Sequence, residues 1–325
     1  MLKKVLISLL MCAAAVSACA EISVLSVTDE DKHTHKEDFW HTFEYYITSK
    51  DGKTGKCQAT RIAKNWFATA GHCVADACAD GCTLRMDILE QACSVFVDGV
   101  STVKKPIVFV HPRYSENIWE VKYDFALIKM DLAQLPAQYY CRGVKGGKNT
   151  AISQAEFERF LQRSAPSARR EFNRALRPEL PPLLIFPDAT KRIDRKLSVV
   201  SIFSGKRSIL HNPHPTDYVK ELGFAYTQNF GVRKGMSGSG VMTNTGELAG
   251  IISGIMVLGT PSGDKTEDYF MFPVFNAELT EFMENTMGSD YYKMDRRDAE
   301  PNYVKRSPKS HAGILQAVRN AKKRK

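Results

Sequence analysis

Apolar and polar positions change their period several times along this chain. Residues 42–48, Thr-Phe-Glu-Tyr-Tyr-Ile-Thr, predict an extended segment closed by a turn at Asp51-Gly52. Within 103–114, Ile107-Val108-Phe109-Val110-His111-Pro112 predicts a strand that ends in a His-Pro turn. Phe125-Ala126-Leu127-Ile128 is apolar without alternation and predicts a buried strand. The period then lengthens: Ser153-Gln154-Ala155-Glu156 has the form of a capping box, and Phe157, Phe160 and Leu161 give the helix after it an apolar stripe. Pro166 interrupts that helix, and Ala168, Phe172 and Leu176 predict a second short one before Pro181-Pro182. Leu197-Ser198-Val199-Val200-Ser201-Ile202-Phe203 returns to β character. The pattern is mostly β, with a helical segment over about 150–180.

The ends differ from the body. Lys3 and Lys4, the apolar run Val5 to Met11 and a tail of small residues predict a secretory signal over 1–20. Ala18-Cys19-Ala20 fits a cleavage site, while Val16-Ser17-Ala18-Cys19 fits a lipobox in which Cys19 would carry lipid; the two readings stand side by side. No later stretch is long and apolar enough to span a bilayer. With 43% hydrophobic and 25% charged residues, the 325-residue chain has the composition of a soluble globular protein. Its net charge of +9 is placed unevenly: residues 305–325 hold eight basic and no acidic residues, and residues 1–20 hold two lysines. Residues 21–304 are therefore close to neutral, which gives no reason to expect a nucleic-acid partner. The tail over 291–325 reads as a solvated charge run, or, through Ile314, Leu315 and Val318, as a short basic amphipathic helix for an anionic membrane surface.

Export also frames the cysteines. Beyond Cys12 and Cys19 there remain Cys57, Cys73, Cys78, Cys82, Cys93 and Cys141, an even number that suggests disulfides in an oxidising compartment. Cys78, Cys82, Cys93 and Cys141 can be read as a zinc cluster, but export favours disulfides, in any of three pairings. His33 and His35 offer two nitrogens without further ligands, which makes an inert polar segment the better reading.

Three stretches carry reaction chemistry. Gly235-Met236-Ser237-Gly238-Ser239-Gly240 places a serine between glycines, a composition suited to a turn where backbone N–H groups face a developing oxyanion. Thr69-Ala70-Gly71-His72-Cys73 supplies a histidine, and Tyr123-Asp124-Phe125-Ala126-Leu127-Ile128 an aspartate at the edge of an apolar strand. The order histidine, aspartate, serine separates this set from subtilisins and α/β-hydrolases. In these motifs and their order the sequence resembles the trypsin/chymotrypsin-like serine peptidases, over roughly residues 40–288.

The resemblance implies an all-β fold of two packed antiparallel β-barrels, with a C-terminal helix around 278–287 and the helical segment as an insertion in a domain over 21–290. It implies a triad of His72, Asp124 and Ser237, an oxyanion site at the N–H groups of Gly235 and Ser237, and no metal or organic cofactor. Cys57 and Cys73, 16 positions apart, match the family's disulfide beside the histidine. Gly246 to Gly254 resembles the strand whose Ser253-Gly254 end walls the primary pocket, and Tyr269 to Phe275 the closing strand. Gly231 stands where lysine- and arginine-selective members carry an aspartate, beside Val232, and Ile252 where glutamate-selective members carry a histidine. Such a neutral pocket implies cleavage after small or medium uncharged residues, and Arg233 and Lys234 near its mouth would favour acidic residues flanking the cut. Met236 replaces the aspartate that pairs with a newly cut N-terminus in trypsin, so that activation device is expected to be absent. His111 is expected to be structural. The alternative is a binding module on the same fold, or a surface protein acting through its tail.

Overall fold

The computed structural model describes residues 41–88, 93–116, 118–132, 137–142, 149–163, 181, 183–185, 197–203, 206–214, 216–219, 222–243, 246–259, 266–294 and 296–298. The signal at 1–20, His33 and His35, the second insertion helix at 168–176 and the tail helix at 314–318 lie outside these residues.

Nine strands come first: β1 (Thr42–Ser49), β2 (Thr54–Ala63), β3 (Trp66–Thr69), β4 (Cys82–Asp87), β5 (Cys93–Ser101), β6 (Val108–Val110), β7 (Ala126–Lys129), β8 (Ala137–Arg142) and β9 (Asn149–Ile152). They form one antiparallel sheet in the order β6-β7-β3-β2-β1-β4-β5-β8-β9. Ten more follow: β10 (Leu183–Ile185), β11 (Leu197–Phe203), β12 (Lys206–His211), β13 (Asp217–Val219), β14 (Phe224–Gln228), β15 (Gly240–Thr243), β16 (Leu248–Ile251), β17 (Gly254–Gly259), β18 (Thr266–Pro273) and β19 (Arg296–Asp298). These make a six-stranded sheet, β12-β11-β15-β16-β10-β19, and a four-stranded one, β13-β14-β18-β17. The molecule is mostly β, with a C-terminal helix. Two details depart from an all-antiparallel expectation: β10 pairs in parallel with β16 and with β19.

Burial explains the sequence pattern. In β1, Phe43, Tyr45 and Ile47 alternate into a core shared with Phe67, Leu84, Met86, Val95, Val97 and Ile128. Strands β3 and β7 bury both faces, because Phe67 and Ile128 enter that core while Ala68 and Leu127 enter a second one. Helix α1 is a single turn (Ala75–Cys78). Helix α2 (Gln154–Arg163) carries the expected capping box: the Ser153 N–H donates to Glu156 Oε2 at 2.8 Å and the Glu156 N–H to Ser153 Oγ at 3.3 Å. Its Phe157 and Leu161 seal the first core. Helix α3 (Ala277–Met287) starts at Asn276, whose side chain accepts the Leu279 N–H at 3.0 Å. Leu279, Met283 and Met287 fall on one face, and all three sit in the second core with Trp66 and Phe125.

Candidate active site

The strand register brings the histidine and aspartate together. Thr69 at the end of β3 faces Ala126 at the start of antiparallel β7, so the chain leaves one strand and enters the other at the same edge. His72 lies three residues after that pair and Asp124 two before it. The His72 N–H donates to Asp124 Oδ1 at 2.7 Å, and His72 Nδ1 lies 2.8 Å from Oδ2. Nδ1 therefore carries the proton facing the carboxylate, and Nε2 is left as the acceptor. Asp124 is 8% exposed, and the hydroxyl of Ser253 also donates to Oδ2. Burial pulls the imidazole pKa down, but the hydrogen bond and charge of Asp124 together outweigh it and hold His72 above its ordinary value. A disulfide joins Cys57 on β2 to Cys73, Cα atoms 6.2 Å apart, and ties the histidine turn to the sheet.

Ser237 comes from the other end of the chain, just before β15. The Gly238 N–H donates to the Ile252 carbonyl and the Ile252 N–H to the Ser239 carbonyl, both at 2.8 Å, so the turn continues the β15–β16 hairpin. The loop also docks on β2: the Gln58 N–H donates to the Ser237 carbonyl at 2.9 Å and Thr60 Oγ1 to the Gly238 carbonyl at 3.1 Å. A hairpin from the C-terminal half is thereby fixed against the strand that holds Cys57.

The N–H groups of this loop divide in a telling way. Those of Met236, Gly238 and Ser239 reach the carbonyls of Arg233, Ile252 and Met236, at 3.1, 2.8 and 3.0 Å. Those of Gly235 and Ser237 meet no acceptor among the described residues. Gly235 adopts φ +91°, a backbone that favours glycine, and nothing stands within 4 Å of where a Cβ would lie. Two free donors flank an accessible serine, which is the arrangement an oxyanion site needs. Ser239, by contrast, is fully buried and donates to Gln58 Oε1 at 2.8 Å. Met236 points the opposite way and packs with Val232, Val241, Ile252 and Phe270.

The serine and histidine are not hydrogen-bonded to each other. Among the described residues the Ser237 hydroxyl has no partner within hydrogen-bond distance, and His72 Nε2 lies 3.7 Å from Cys73 Sγ. Cys57, His72 and Cys73 bring metal-ligand atom types together, but two of the three are the sulfurs of the disulfide and carry no thiolate.

The expected pocket residues are spread over two neighbouring segments. Gly231, at φ +128°, and Val232 are held by Asn229, whose Oδ1 accepts their N–H groups at 3.0 and 2.8 Å. Val232 is buried in the core, whereas Arg233 and Lys234 are exposed. Ser253 and Gly254 mark a break: the run 246–254 that resembled one strand is β16 in the six-stranded sheet followed by β17 in the four-stranded one. β17 is the edge strand of that sheet, paired only with β18 among the described residues. His111 is buried, accepts the Arg113 N–H on Nδ1 at 3.2 Å and stacks on Tyr123, 4.9 Å between centroids. Burial first, and then Arg113 and Lys122, hold its pKa below the ordinary histidine value against the opposing charge of Glu278. The structural reading of His111 agrees with that environment.

Of the remaining cysteines, Cys78 and Cys82 form a second disulfide. Cys141 is disulfide-bonded, and it stands opposite Cys93 in the β5–β8 register. Two contacts had no sequence signal: the Ser253 hydroxyl on Asp124 and the side chain of Gln58 beneath the serine loop. A polar residue inside an extended run gives no indication of which partner it meets.

A model of the trypsin family matches residues 32–150, a stretch that includes His72 and Asp124 and ends before Ser237. Over that stretch the fold is that of the trypsin-like serine proteases. No curated protein matches the sequence. Among solved structures, the chain is similar to HL collagenase at 14% identity and TM-score 0.41, over 77% of this chain and 94% of that one. It is similar to a serine endoprotease from Yersinia pestis at 12% identity and TM-score 0.37, over 77% and 63%. It is also similar to an inactivated protease paralogue of the scabies mite at 10% identity and TM-score 0.43, over 77% and 95%. A trypsin-like fold does not by itself establish catalysis, which rests on the site.

Proposed function

We propose that this chain is a serine endopeptidase of the trypsin-like family, acting through Ser237, His72 and Asp124. The observation that carries the reading is the pair of N–H groups, Gly235 and Ser237, that meet no acceptor among the described residues, beside a part-exposed serine in a loop where the N–H groups of Met236, Gly238 and Ser239 are satisfied. In the reaction, Ser237 Oγ attacks a peptide carbonyl carbon while His72 Nε2 takes its proton. The carbonyl oxygen gains the charge, which the Gly235 and Ser237 N–H groups stabilise. His72 returns the proton to the leaving amine as the C–N bond breaks, and water then hydrolyses the acyl-enzyme by the same route. Asp124 orients the imidazole and stabilises its cationic form.

The reading extends to features of the family arrangement. The nine-stranded sheet and the two C-terminal sheets would be its two β-barrels, with the site in the cleft between them and a domain spanning 21–290. Gly231, Val232, Lys234, Ser253 and Gly254 would shape the primary pocket. With no carboxylate at Gly231, a buried lysine or arginine side chain would lack a partner, so small or medium uncharged residues are expected before the scissile bond. The disulfides point to an oxidising compartment outside the cytoplasm. A signal at 1–20, lipid at Cys19 and a tail that meets anionic membranes remain part of the proposal on sequence grounds.

A fluorophosphonate probe tests the chemistry, since only an activated serine attacks its phosphorus, displacing fluoride to leave a phosphonate ester on the serine oxygen. The native chain should label, heating should abolish labelling, and Ser237→Ala should lower peptide turnover on the order of a million-fold. An unlabelled native chain, or an active Ser237→Ala enzyme, would refute the assignment.

A further inference from the structure

We infer that Gln58 is a positioning residue for the reaction, a clamp that sets the serine loop against the histidine turn. The inference rests on the peptidase reading and names a residue with no place in it so far. Gln58 lies on β2 and is 1% exposed, deep enough that every polar atom must find a partner within the protein. Its Nε2 lies 2.9 Å from the Ile202 carbonyl, 3.0 Å from the Ser201 hydroxyl and 3.2 Å from the Gly235 carbonyl, so its N–H bonds reach both β11 and the serine loop. Its Oε1 accepts the Ile202 N–H at 2.9 Å, the Ser201 hydroxyl at 3.1 Å and the Ser239 hydroxyl at 2.8 Å. The two backbone carbonyls and the backbone N–H fix the amide orientation, because a flipped amide would oppose acceptor to acceptor and donor to donor.

The consequence lies in which residues are held. The Gly235 carbonyl meets the Gln58 side chain, the Ser237 carbonyl meets the Gln58 main-chain N–H, and the Ser239 hydroxyl meets Oε1. Alternate residues of the loop are thus bound to one residue, and between them Met236 is sunk in the core. Gln58 is also the neighbour of Cys57, which is disulfide-bonded to Cys73, the neighbour of His72. A covalent path His72, Cys73, Cys57, Gln58 therefore leads from the histidine, and hydrogen bonds of Gln58 complete the link to the serine loop. Sequence separations of 177 and 181 residues are spanned by single hydrogen bonds from this one side chain. Without the amide, the Gly235 carbonyl loses the bond that sets that peptide, and with it the direction of the adjacent donors. A misplacement of about 1 Å in such a site costs on the order of 100-fold in rate.

Gln58→Met keeps the length of the side chain and removes all of its hydrogen bonds; Ser239→Ala removes only the contact to Oε1. Fluorophosphonate labelling rates, kcat and KM on a peptide, the pH profile and amide exchange of residues 235–239 would be measured on the full exported chain. For Gln58→Met we expect labelling and kcat to fall about 100-fold, KM to stay within about threefold and the acid limb set by His72 to stay in place, because Asp124 is untouched. The Met236, Gly238 and Ser239 amides should exchange faster than in the native chain. Ser239→Ala should show the same changes in milder form, and it decides the matter if Gln58→Met does not fold. A folded Gln58→Met that labels at the native rate per folded molecule overturns the inference. If the native chain itself neither labels nor cleaves, the peptidase reading falls. Amide exchange then judges the clamp alone: faster exchange supports it and unchanged exchange overturns it.

Discussion

Replacing Gly238 by alanine tests the docking of the serine loop on β2 more directly than any change to a reacting group. Gly238 has φ +86°, where a side chain costs about 1–2 kcal/mol. The larger effect is contact: a Cβ would lie 1.8 Å from the Gln58 carbonyl oxygen and 2.6 Å from Thr69 Oγ1. Neither neighbour can yield cheaply, since one is strand backbone and the two are hydrogen-bonded to each other at 2.7 Å. Relief requires the loop and β2 to part, which breaks the Gln58–Ser237 and Thr60–Gly238 bonds. The sum exceeds about 4 kcal/mol, in the range reserved for severe core disruptions. Gly235 supplies the control. Its φ of +91° carries the same backbone cost, yet nothing stands within 4 Å of its Cβ position. At roughly 2–4 °C per kcal/mol for a domain of this size, Gly238→Ala should lower Tm by about 10 °C or more, and Gly235→Ala by a few degrees. Thermal unfolding followed by circular dichroism reads both. Equal shifts in the two variants would show that the loop does not sit on β2 as described.

Four further outcomes follow from the site. The raised His72 pKa places the acid limb of kcat/KM above the ordinary histidine value, because the neutral imidazole is the base and activity is lost as pH falls through its pKa. Asp124→Asn should move that limb down, leaving burial as the main influence, and Ser253→Ala should move it up by freeing more carboxylate charge for His72; a limb unmoved by either change would refute the pairing. The same raised pKa stabilises the fold below the unfolded histidine value, and that contribution is lost as pH rises through the folded one. Removing the Cys57–Cys73 bridge as a double serine variant should cost about 3 kcal/mol for a loop of this length, read as a lowered urea midpoint. Because Met236 is 3% exposed and packed among apolar side chains, no carboxylate there awaits a terminal ammonium. A chain extended ahead of Glu21 should keep its kcat/KM within about twofold, and strict dependence on one free N-terminus would contradict this.

Much of this architecture is legible in the residues because burial imposes a period. The alternation Phe43, Tyr45, Ile47 marks β1, and the unbroken Phe125 to Ile128 marks a strand covered on both faces. The capping box at Ser153 and the face Leu279, Met283, Met287 mark α2 and α3 for equally local reasons. What the residues do not reveal is set by long-range pairing. Nothing local divides 246–254 between two sheets, because the break at Ile252 and Ser253 answers to the serine loop and to Asp124, far off in sequence. The parallel contacts of β10 and the Cys78–Cys82 bridge depend in the same way on where distant segments lie.

Met236 and Ser239 interrupt the glycine-rich loop in different directions, one into the apolar core and one toward β2. A hydroxyl at 239 is buried at 0% exposure, so it needs a polar partner, and Gln58 Oε1 is that partner. The converse also holds: a glutamine inside a buried strand must satisfy two donors and an acceptor, and the loop and β11 supply acceptors and donors in the right places. Each residue looks unfavourable alone and is satisfied by segments distant in sequence, Ser239 by β2 and Gln58 by the serine loop and β11. Two positions 181 residues apart therefore act as one local unit. The serine loop owes its fixed shape to that unit as much as to its own glycines.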